Sequence, residues 1–408
     1  MNKYYHIIVI GGGPAGLMSA ITAAKNRKRV LVIDHNDKVA KKIYATGNGK
    51  CNFTNEYMEP SCFHGDEKLV ENVLSMFSER DTIHTLHGMG ILPKSKGGYV
   101  YPNSEQASSV AHALEQELQT LAVDVLLNHR IDALEQKKGD YYIYVGDDVY
   151  RANKIIIATG LLAAPKLGSD GSFFPFLKEM GHSFEKIVPA LCGFYCEGIS
   201  FKHASGVRQE GLVSLWVDDE YVEEDFGEIQ FTDYGLSGIP VFQISSKASK
   251  SLKEKKKVSM KLNFFSSFSR EELLAELKYR ALMFDETSEV KDIWNGLLND
   301  KLCNVLLSTK GINEHTLVKE LSEQSFERMV DALTETAVSV MKPRDYEFAQ
   351  VCAGGIRTEE IDTRTLESKI CPNMFFAGEI LNVDGICGGY NLQWAFSSGY
   401  VAGEFASR

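Results

Sequence analysis

The chain has 408 residues, of which 44% are hydrophobic and only 10 are proline, enough apolar material for two or three packed domains. A formal net charge of −11 repels phosphate backbones and anionic lipid on average, so neither a nucleic-acid nor a membrane partner is expected. Eight dispersed cysteines without a Cys-x-x-Cys pair, the lack of a signal-peptide core and the absence of any apolar run near ~18 residues lead us to expect a soluble cytoplasmic protein with reduced thiols.

Tyr5 to Ile10 reads as a buried parallel strand, Ala15 to Lys25 as a helix of small residues and Arg29 to Asp34 as a second strand, a βαβ opening. Between strand and helix, Gly11-Gly12-Gly13-Pro14-Ala15-Gly16 supplies G-x-G-x-x-G in the context that the dinucleotide fingerprint requires. Gly11 makes the tight turn, Gly13 lets a pyrophosphate approach the backbone, and Gly16 lets the helix pack on the strand. Pro14 and Ala15 start a helix whose N–H groups face the phosphates. Asp34, 18 residues beyond Gly16, is placed to bind an adenosine ribose and to repel a 2′-phosphate. This much leaves NAD and FAD open, since both carry the same ADP half.

Helical periodicity follows at Glu67 to Ser78 and Glu105 to Leu121, and alternating segments at Val123 to Leu127 and Tyr141 to Val145 predict a small antiparallel layer. The buried-strand run from Lys154 ends in Ala158-Thr159-Gly160, a small-residue turn suited to a passing dinucleotide. From about 190 to 345, strand-like stretches (Leu191 to Cys196, Leu212 to Tyr221, Val258 to Phe265) surround a charged, helix-periodic block at about 268–333. We therefore expect residues 190–345 to form an inserted substrate domain, with 1–189 and 346–408 making one FAD-binding domain. Near the end of the sequence, Phe375 to Glu379 is a strand closing on Gly378-Glu379, which places a carboxylate on a ribityl chain. Gly388-Gly389-Tyr390-Asn391 then opens a helix that aims N–H groups at the N1–C2 edge of a reduced flavin. A simple NAD dehydrogenase has no need of this distant closing motif, so FAD is preferred.

Lys41-Lys42, the run Ala45-Thr46-Gly47-Asn48-Gly49-Lys50-Cys51-Asn52-Phe53-Thr54-Asn55, the run Phe231-Thr232-Asp233-Tyr234-Gly235-Leu236-Ser237-Gly238 and the segment from Ala377-Gly378-Glu379 to Gly399 give the chain its family likeness. On these residues it resembles the YhiN-like, or BaiN-like, flavoprotein family, which includes enzymes named aminoacetone oxidases. The resemblance implies an α/β fold, with a Rossmann-type FAD-binding domain, noncovalent FAD, and an inserted domain made of a small β-barrel and a helical part. It implies that Thr46, Gly47, Asn48, Cys51 and Asn52 wrap the flavin and pyrophosphate, that Arg130 and Ile131 lie on the adenine side, and that Gly389, Tyr390, Asn391 and Leu392 face the isoalloxazine. His35, Lys42 and Asp384 complete the expected cofactor contacts. The sequence departs from the family pattern at Asp34 (more often Glu), Leu161 (a glycine) and Asn382 (an aspartate).

Tyr390, Asp233 and Tyr234 are the candidates for proton transfer to a substrate lying over the flavin. The histidines show no ligand spacing, so no metal site is expected. The reading is an FAD-dependent oxidoreductase that moves a hydride between flavin N5 and a small organic substrate. NAD(P)H-linked reduction of an activated C=C bond comes first, oxygen-dependent oxidation of a small amine or amino-ketone second, and a flavoprotein with a mainly binding role third. With a single fingerprint, NADH or NADPH would bind only transiently. No motif names the substrate or the oligomeric state.

Overall fold

A computed structural model describes residues 3–408. One unit runs to Val188 and resumes at Tyr346–Arg408; the other is Pro189–Asp345.

The first unit is built on Tyr4–Ile10, whose isoleucine- and valine-rich half is buried on both faces, as a parallel strand between helical layers must be. Val30–Ile33 pairs with it on one side and Asp148–Ile157 on the other, both parallel. Met374–Phe376 then runs parallel to the second half of Asp148–Ile157, so a strand from late in the sequence joins the opening βαβ element in one sheet. The first half of Asp148–Ile157 pairs antiparallel with Asp140–Val145, and that strand with Ala133–Lys137. The other segment expected in this antiparallel layer differs: Asp124–Leu126 is a parallel edge strand beside Val30–Ile33. Three residues are too few for alternation to report strand direction, and the crossover helix Ala107–Thr120 sets it instead. The helix expected over Glu67 to Ser78 ends at Met76, and a further one, Glu79–Gly88, begins at a capping box between Ser78 and Asp81. That second helix buries only Thr82 and Leu86, too thin an apolar stripe to show in the sequence.

Pro14–Lys25 packs along Tyr390–Ala406 with almost no side chain between the two. A Cβ built on Gly399 would lie 2.4 Å from Ala15 O, and one on Gly403 2.5 Å from Ser19 O. Only glycine admits that approach.

The second unit holds a closed six-stranded barrel. Its strands in order are Phe194–Glu197, Gly235–Gly238, Glu220–Phe231, Arg208–Val217, Val258–Asn263 and Thr336–Pro343. Arg270–Leu282, Val290–Trp294, Asp300–Thr309 and Glu323–Thr334 form the helical part. Phe194, Phe231, Met260, Leu262, Trp294 and Met329 share one core. An α/β fold with a Rossmann-type unit and a barrel-plus-helix unit is thus what the sequence led us to expect. The stretch Leu212 to Tyr221, read as one strand, is the middle of a hairpin that turns at Asp218 and Asp219, both left-handed (φ 50° and 67°). Aspartate tolerates that conformation, so the turn carries no glycine to announce it. Leu191 is also left-handed and the strand starts only at Phe194, so Cys192 and Cys196 do not share a strand face.

His182, 3% exposed, packs edge-on against Phe376 and pairs through Nε2 with Ser368 Oγ at 2.8 Å. Ser368 Oγ already accepts from Ile370 N and Cys371 N, so its own proton goes to Nε2 and the imidazole is neutral. Burial lowers the pKa of His182 below its ordinary 6.5. Below about pH 6.5 the unfolded chain binds a proton that the folded chain refuses, so stability falls as pH drops through this window and is complete above it. Thermal unfolding from pH 5 to 7.5 should show this slope, and His182→Leu should flatten it; an equally steep slope in the variant would refute the assignment.

Candidate functional site

The glycine turn closes over the C-terminal ends of the parallel strands, where ligands of open α/β sheets bind. Gly11 N donates to Ile33 O at 2.9 Å and Gly12 N to Asp34 Oδ2 at 2.6 Å, while Asp34 Oδ1 accepts from Asn36 N at 2.7 Å. Each Asp34 oxygen thus holds main chain and keeps a lone pair for a ligand hydroxyl. A Cβ on Gly11 would meet Ala158 O at 2.4 Å, and one on Gly16 would meet Gly11 O at 1.9 Å. Gly13 differs: a Cβ there meets nothing within 4 Å, and its backbone (φ −78°, ψ −179°) suits any residue. It is the N-cap of Pro14–Lys25 and offers no side chain to the first N–H groups, which are left open at the positive end of the helix.

Residues that follow the edge strand run beside Asp34: Asn128 N donates to Asn36 O and His129 N to Asp34 O. Arg130 is next, exposed and paired with Asp170 at 3.0 Å, then Ile131. His35 follows Asp34 and is half-buried. Thr159 and Gly160 continue from Ala158, with Gly160 left-handed.

The loop from Lys41 to Asn52 is tied to the glycine turn by Ala40 N donating to Gly12 O at 2.8 Å. Gly47, Asn48 and Cys51 are all left-handed (φ 54°, 53° and 58°), which coils the loop tightly. Thr46 Oγ1 donates to Ile43 O at 2.6 Å, and Cys51 N donates to Thr46 O. Burial pushes the Cys51 thiol up to about 11, so its sulfur is no thiolate. Asn52 Oδ1 is buried and has no hydrogen-bond partner. Lys42 Nζ pairs with Glu379 Oε2 at 2.9 Å, and Glu379 Oε1 accepts from Cys352 N at 2.6 Å.

The late segments meet these early ones. Gly378 is left-handed, and a Cβ on it would touch Ala15 Cβ at 2.8 Å; its N–H donates to Ser398 Oγ and its carbonyl accepts from Trp394 Nε1. Gly389 (φ 95°) is the N-cap of Tyr390–Ala406, and a Cβ there would meet Thr54 O at 2.6 Å and Asn52 Oδ1 at 2.9 Å. The first bond inside this helix runs from Gln393 N to Gly389 O, so the amides of Tyr390, Asn391 and Leu392 have no partner within it. Asn391 clamps the preceding loop, its Oδ1 accepting from Gly385 N at 2.8 Å and its Nδ2 donating to Gly385 O at 2.7 Å. Asn55 Nδ2 holds Gly388 O at 3.0 Å, and Thr54 Oγ1 donates to Gln393 Oε1 at 2.6 Å.

Asp384, expected at the cofactor, is buried and paired with His64 Nδ1 at 2.9 Å across the short ladder Phe63–Gly65 with Val383–Gly385. Tyr390 is 5% exposed, edge-on to Phe63. Burial, with Cys62 beside it, keeps its phenol protonated well beyond the ordinary range. Asp233 and Tyr234 belong to the second unit, in the turn between Glu220–Phe231 and Gly235–Gly238, so the three proton-transfer candidates are not on one unit. The Lys42–Glu379 and His64–Asp384 pairs were not legible, because 337 and 320 positions separate the partners.

FAD fits these residues. Gly13 leaves a cradle that a side chain would fill, two glycine-capped helix starts leave amides open, and the orphaned acceptor Asn52 Oδ1 suits a donor such as the flavin N3–H. Among the described residues no helix is long and apolar enough to cross a membrane.

Fold and site define a flavin-dependent oxidoreductase built on a Rossmann-type FAD-binding unit. The chain belongs to the HI0933-like protein Rossmann domain family, which matches residues 5–405 and bears out the resemblance read from the motifs. It is 37% identical to the 3-dehydro-bile acid delta(4,6)-reductase of Clostridium scindens, over 100% of this chain and 99% of that one. It is 27% identical to the ribosomal RNA dihydrouridine synthase of Haemophilus influenzae, over 100% of both. The 3-ketosteroid-delta4-(5alpha)-dehydrogenase of Rhodococcus jostii RHA1 aligns over 99% of this chain and 97% of that one, with a TM-score of 0.51 and 13% identity, a likeness of fold alone.

Proposed function

We propose that the protein reduces a C=C bond conjugated with a carbonyl in a small organic molecule, using noncovalent FAD and electrons from transiently bound NADH or NADPH. The observation that carries this reading is the full-length 37% identity to the bile acid delta(4,6)-reductase. The more distant dihydrouridine synthase supports it, since dihydrouridine is uridine saturated at a C=C bond beside a carbonyl. A bound flavin supplies the hydride at N5.

The chain's residues bind, orient and hold charge. Gly11, Gly13, Pro14, Ala15 and Gly16 hold the diphosphate, Asp34 and His35 the adenosine ribose, and Arg130 and Ile131 the adenine side. Thr46 to Asn52 wrap the flavin and pyrophosphate, and Ala158 to Gly160, Gly378 and Glu379 line the middle of the cofactor, with Lys42 neutralising Glu379. The open amides of Tyr390, Asn391 and Leu392 stabilise negative charge on the reduced ring system, and the Asn391 clamp fixes them in advance. Tyr390 on the first unit, and Asp233 and Tyr234 on the second, are the candidates for proton transfer; burial beside Cys62 keeps the Tyr390 phenol protonated and so suits it to donating a hydrogen bond rather than to giving up its proton.

Anaerobic NADH or NADPH should bleach the yellow holoprotein, and a 3-keto-4-ene steroid should restore its colour while being saturated. Bleaching by a small amine, with neither nicotinamide effective, would replace this reading with that of an amine oxidase. Turnover of a uridine-containing RNA with no small enone accepted would redirect it to nucleic acid.

A further inference from the structure

One face of a small sheet in the first unit carries a charge cluster that the flavin does not use. Pro93–Lys96 and Tyr99–Pro102 form a hairpin, and Thr54–Asn55 pairs with the other edge of Tyr99–Pro102. Residues directly opposed across an antiparallel pair share a face, so Lys94 with Tyr101 and Lys96 with Tyr99 stand on one side, while Val100 and Thr54 are buried on the other. Glu105 meets the lysines of that side and gathers three cations: Lys96 Nζ at 2.7 Å and Lys94 Nζ at 2.9 Å on Oε1, and Lys50 Nζ at 3.3 Å on Oε2. The main chain fixes this carboxylate: Glu105 is left-handed (φ 51°), which glutamate seldom adopts, and its N–H donates to Pro102 O at 2.8 Å. Lys96 first, then Lys94 and Lys50, hold its carboxyl down to about 2, so it stays charged.

Exposed ion pairs of this kind add little to stability, and one carboxylate against three ammoniums leaves two positive charges over. Among the described residues, Glu105 is the one carboxylate within ion-pair distance of any of the three lysines. Each ammonium has three donors and turns at most one to Glu105, so the others remain for a ligand. In a chain of net charge −11, this local excess is a place where an anion can approach. Two ammoniums on one oxygen stand close enough for a single phosphate group to bridge them. The cluster also adjoins the cofactor site. Lys50 belongs to the loop Thr46–Asn52, and Tyr99, opposite Lys96, reaches Gly388, where a Cβ would lie 2.8 Å from its Cε1. Gly388 precedes the N-cap of the helix whose first amides are open. A reductant that visits the flavin must seat its own phosphates away from the glycine turn, which the FAD diphosphate fills and where Asp34 repels a 2′-phosphate.

We propose that Lys50, Lys94 and Lys96, arrayed by Glu105, form the seat for the 2′-phosphate of NADPH, which makes NADPH rather than NADH the protein's reductant. NADPH gives the hydride from C4 of its nicotinamide to FAD and leaves as NADP+, with a proton from solvent completing the reduced flavin. The electron-donor role rests on the reductase reading; phosphate binding does not.

Calorimetric titration of the holoprotein with adenosine 2′,5′-bisphosphate and with adenosine 5′-monophosphate tests the seat. The bisphosphate should bind at least tenfold tighter, and Lys94→Gln and Lys96→Gln should each weaken it about five- to tenfold without changing the monophosphate. Both side chains reach solvent, so the variants keep the fold. In anaerobic stopped-flow, the same variants should raise the NADPH concentration that half-saturates flavin bleaching by a similar factor and leave NADH unaffected. Equal binding of the two nucleotides, bisphosphate binding that neither variant weakens, or equal loss of NADH and NADPH overturns the proposal, as does an oligouridylate that binds more tightly than the bisphosphate and depends on Lys94. Lysine-dependent bisphosphate binding with no bleaching by either nicotinamide sinks the reductase reading and leaves the phosphate seat standing; bleaching by NADPH that ignores both lysines sinks only the seat.

Discussion

Glutamate in place of Gly13 gives a protein that folds, melts close to the parent and is colourless. The backbone there is extended, and a Cβ meets nothing within 4 Å, so the protein itself raises no objection to a side chain. What it excludes is the diphosphate, by volume and by like charge at a helix start that otherwise favours anions. FAD affinity should fall about 100-fold or more, ~2.7 kcal/mol or above, read by flavin content per chain and by FAD titration, with circular dichroism reporting the fold. A yellow Gly13→Glu protein would refute the placement of the diphosphate. Gly16→Ala makes the contrast: its Cβ would lie 1.9 Å from the carbonyl oxygen of Gly11, which is backbone and cannot yield, so folding itself is lost.

The second large effect is expected at Gly403. Leucine there drives a Cβ to 2.5 Å from Ser19 O and 2.9 Å from Thr22 Cβ, and the helices can only separate. Overpacking of this kind costs about 1–3 kcal/mol and occasionally more, and a contact with backbone that cannot yield puts this site at the upper end. Flavin affinity should fall with it, because the same helix carries the open amides at Tyr390 to Leu392. Excess FAD should raise the melting temperature of the variant by mass action, without restoring it fully. A Gly403→Leu protein that melts within a degree of the parent would show that this contact does not hold the helix.

Much of the first unit was legible in the sequence, because the features that build it are local. A glycine turn after an apolar run, an acid at the end of the next strand and a second glycine turn before a long helix each declare themselves within a few residues. The barrel and its helical part were legible as types of segment, less so as boundaries: the turn at Asp218–Asp219 lacks glycine, and Glu79–Gly88 buries too little to show a stripe. The direction of Asp124–Leu126 depends on the crossover before it, which three residues cannot encode. The pairings inside the site were hidden for another reason. Lys42 with Glu379, His64 with Asp384 and Lys50 with Glu105 meet only through the tertiary fold, so no spacing rule reaches them.

One arrangement constrains how the protein is made. Strand Met374–Phe376 and helix Tyr390–Ala406 complete a sheet and a helix pair begun by the opening residues. During translation, then, Asp148–Ile157 waits with a bare edge and Pro14–Lys25 with a bare face while the whole of Pro189–Asp345 emerges and can fold. The nascent chain has no complete flavin site through that interval, so its colour waits until Tyr390–Ala406 has emerged and docked on Pro14–Lys25. A shortage of free FAD would lengthen the time the unguarded edge is open to other chains.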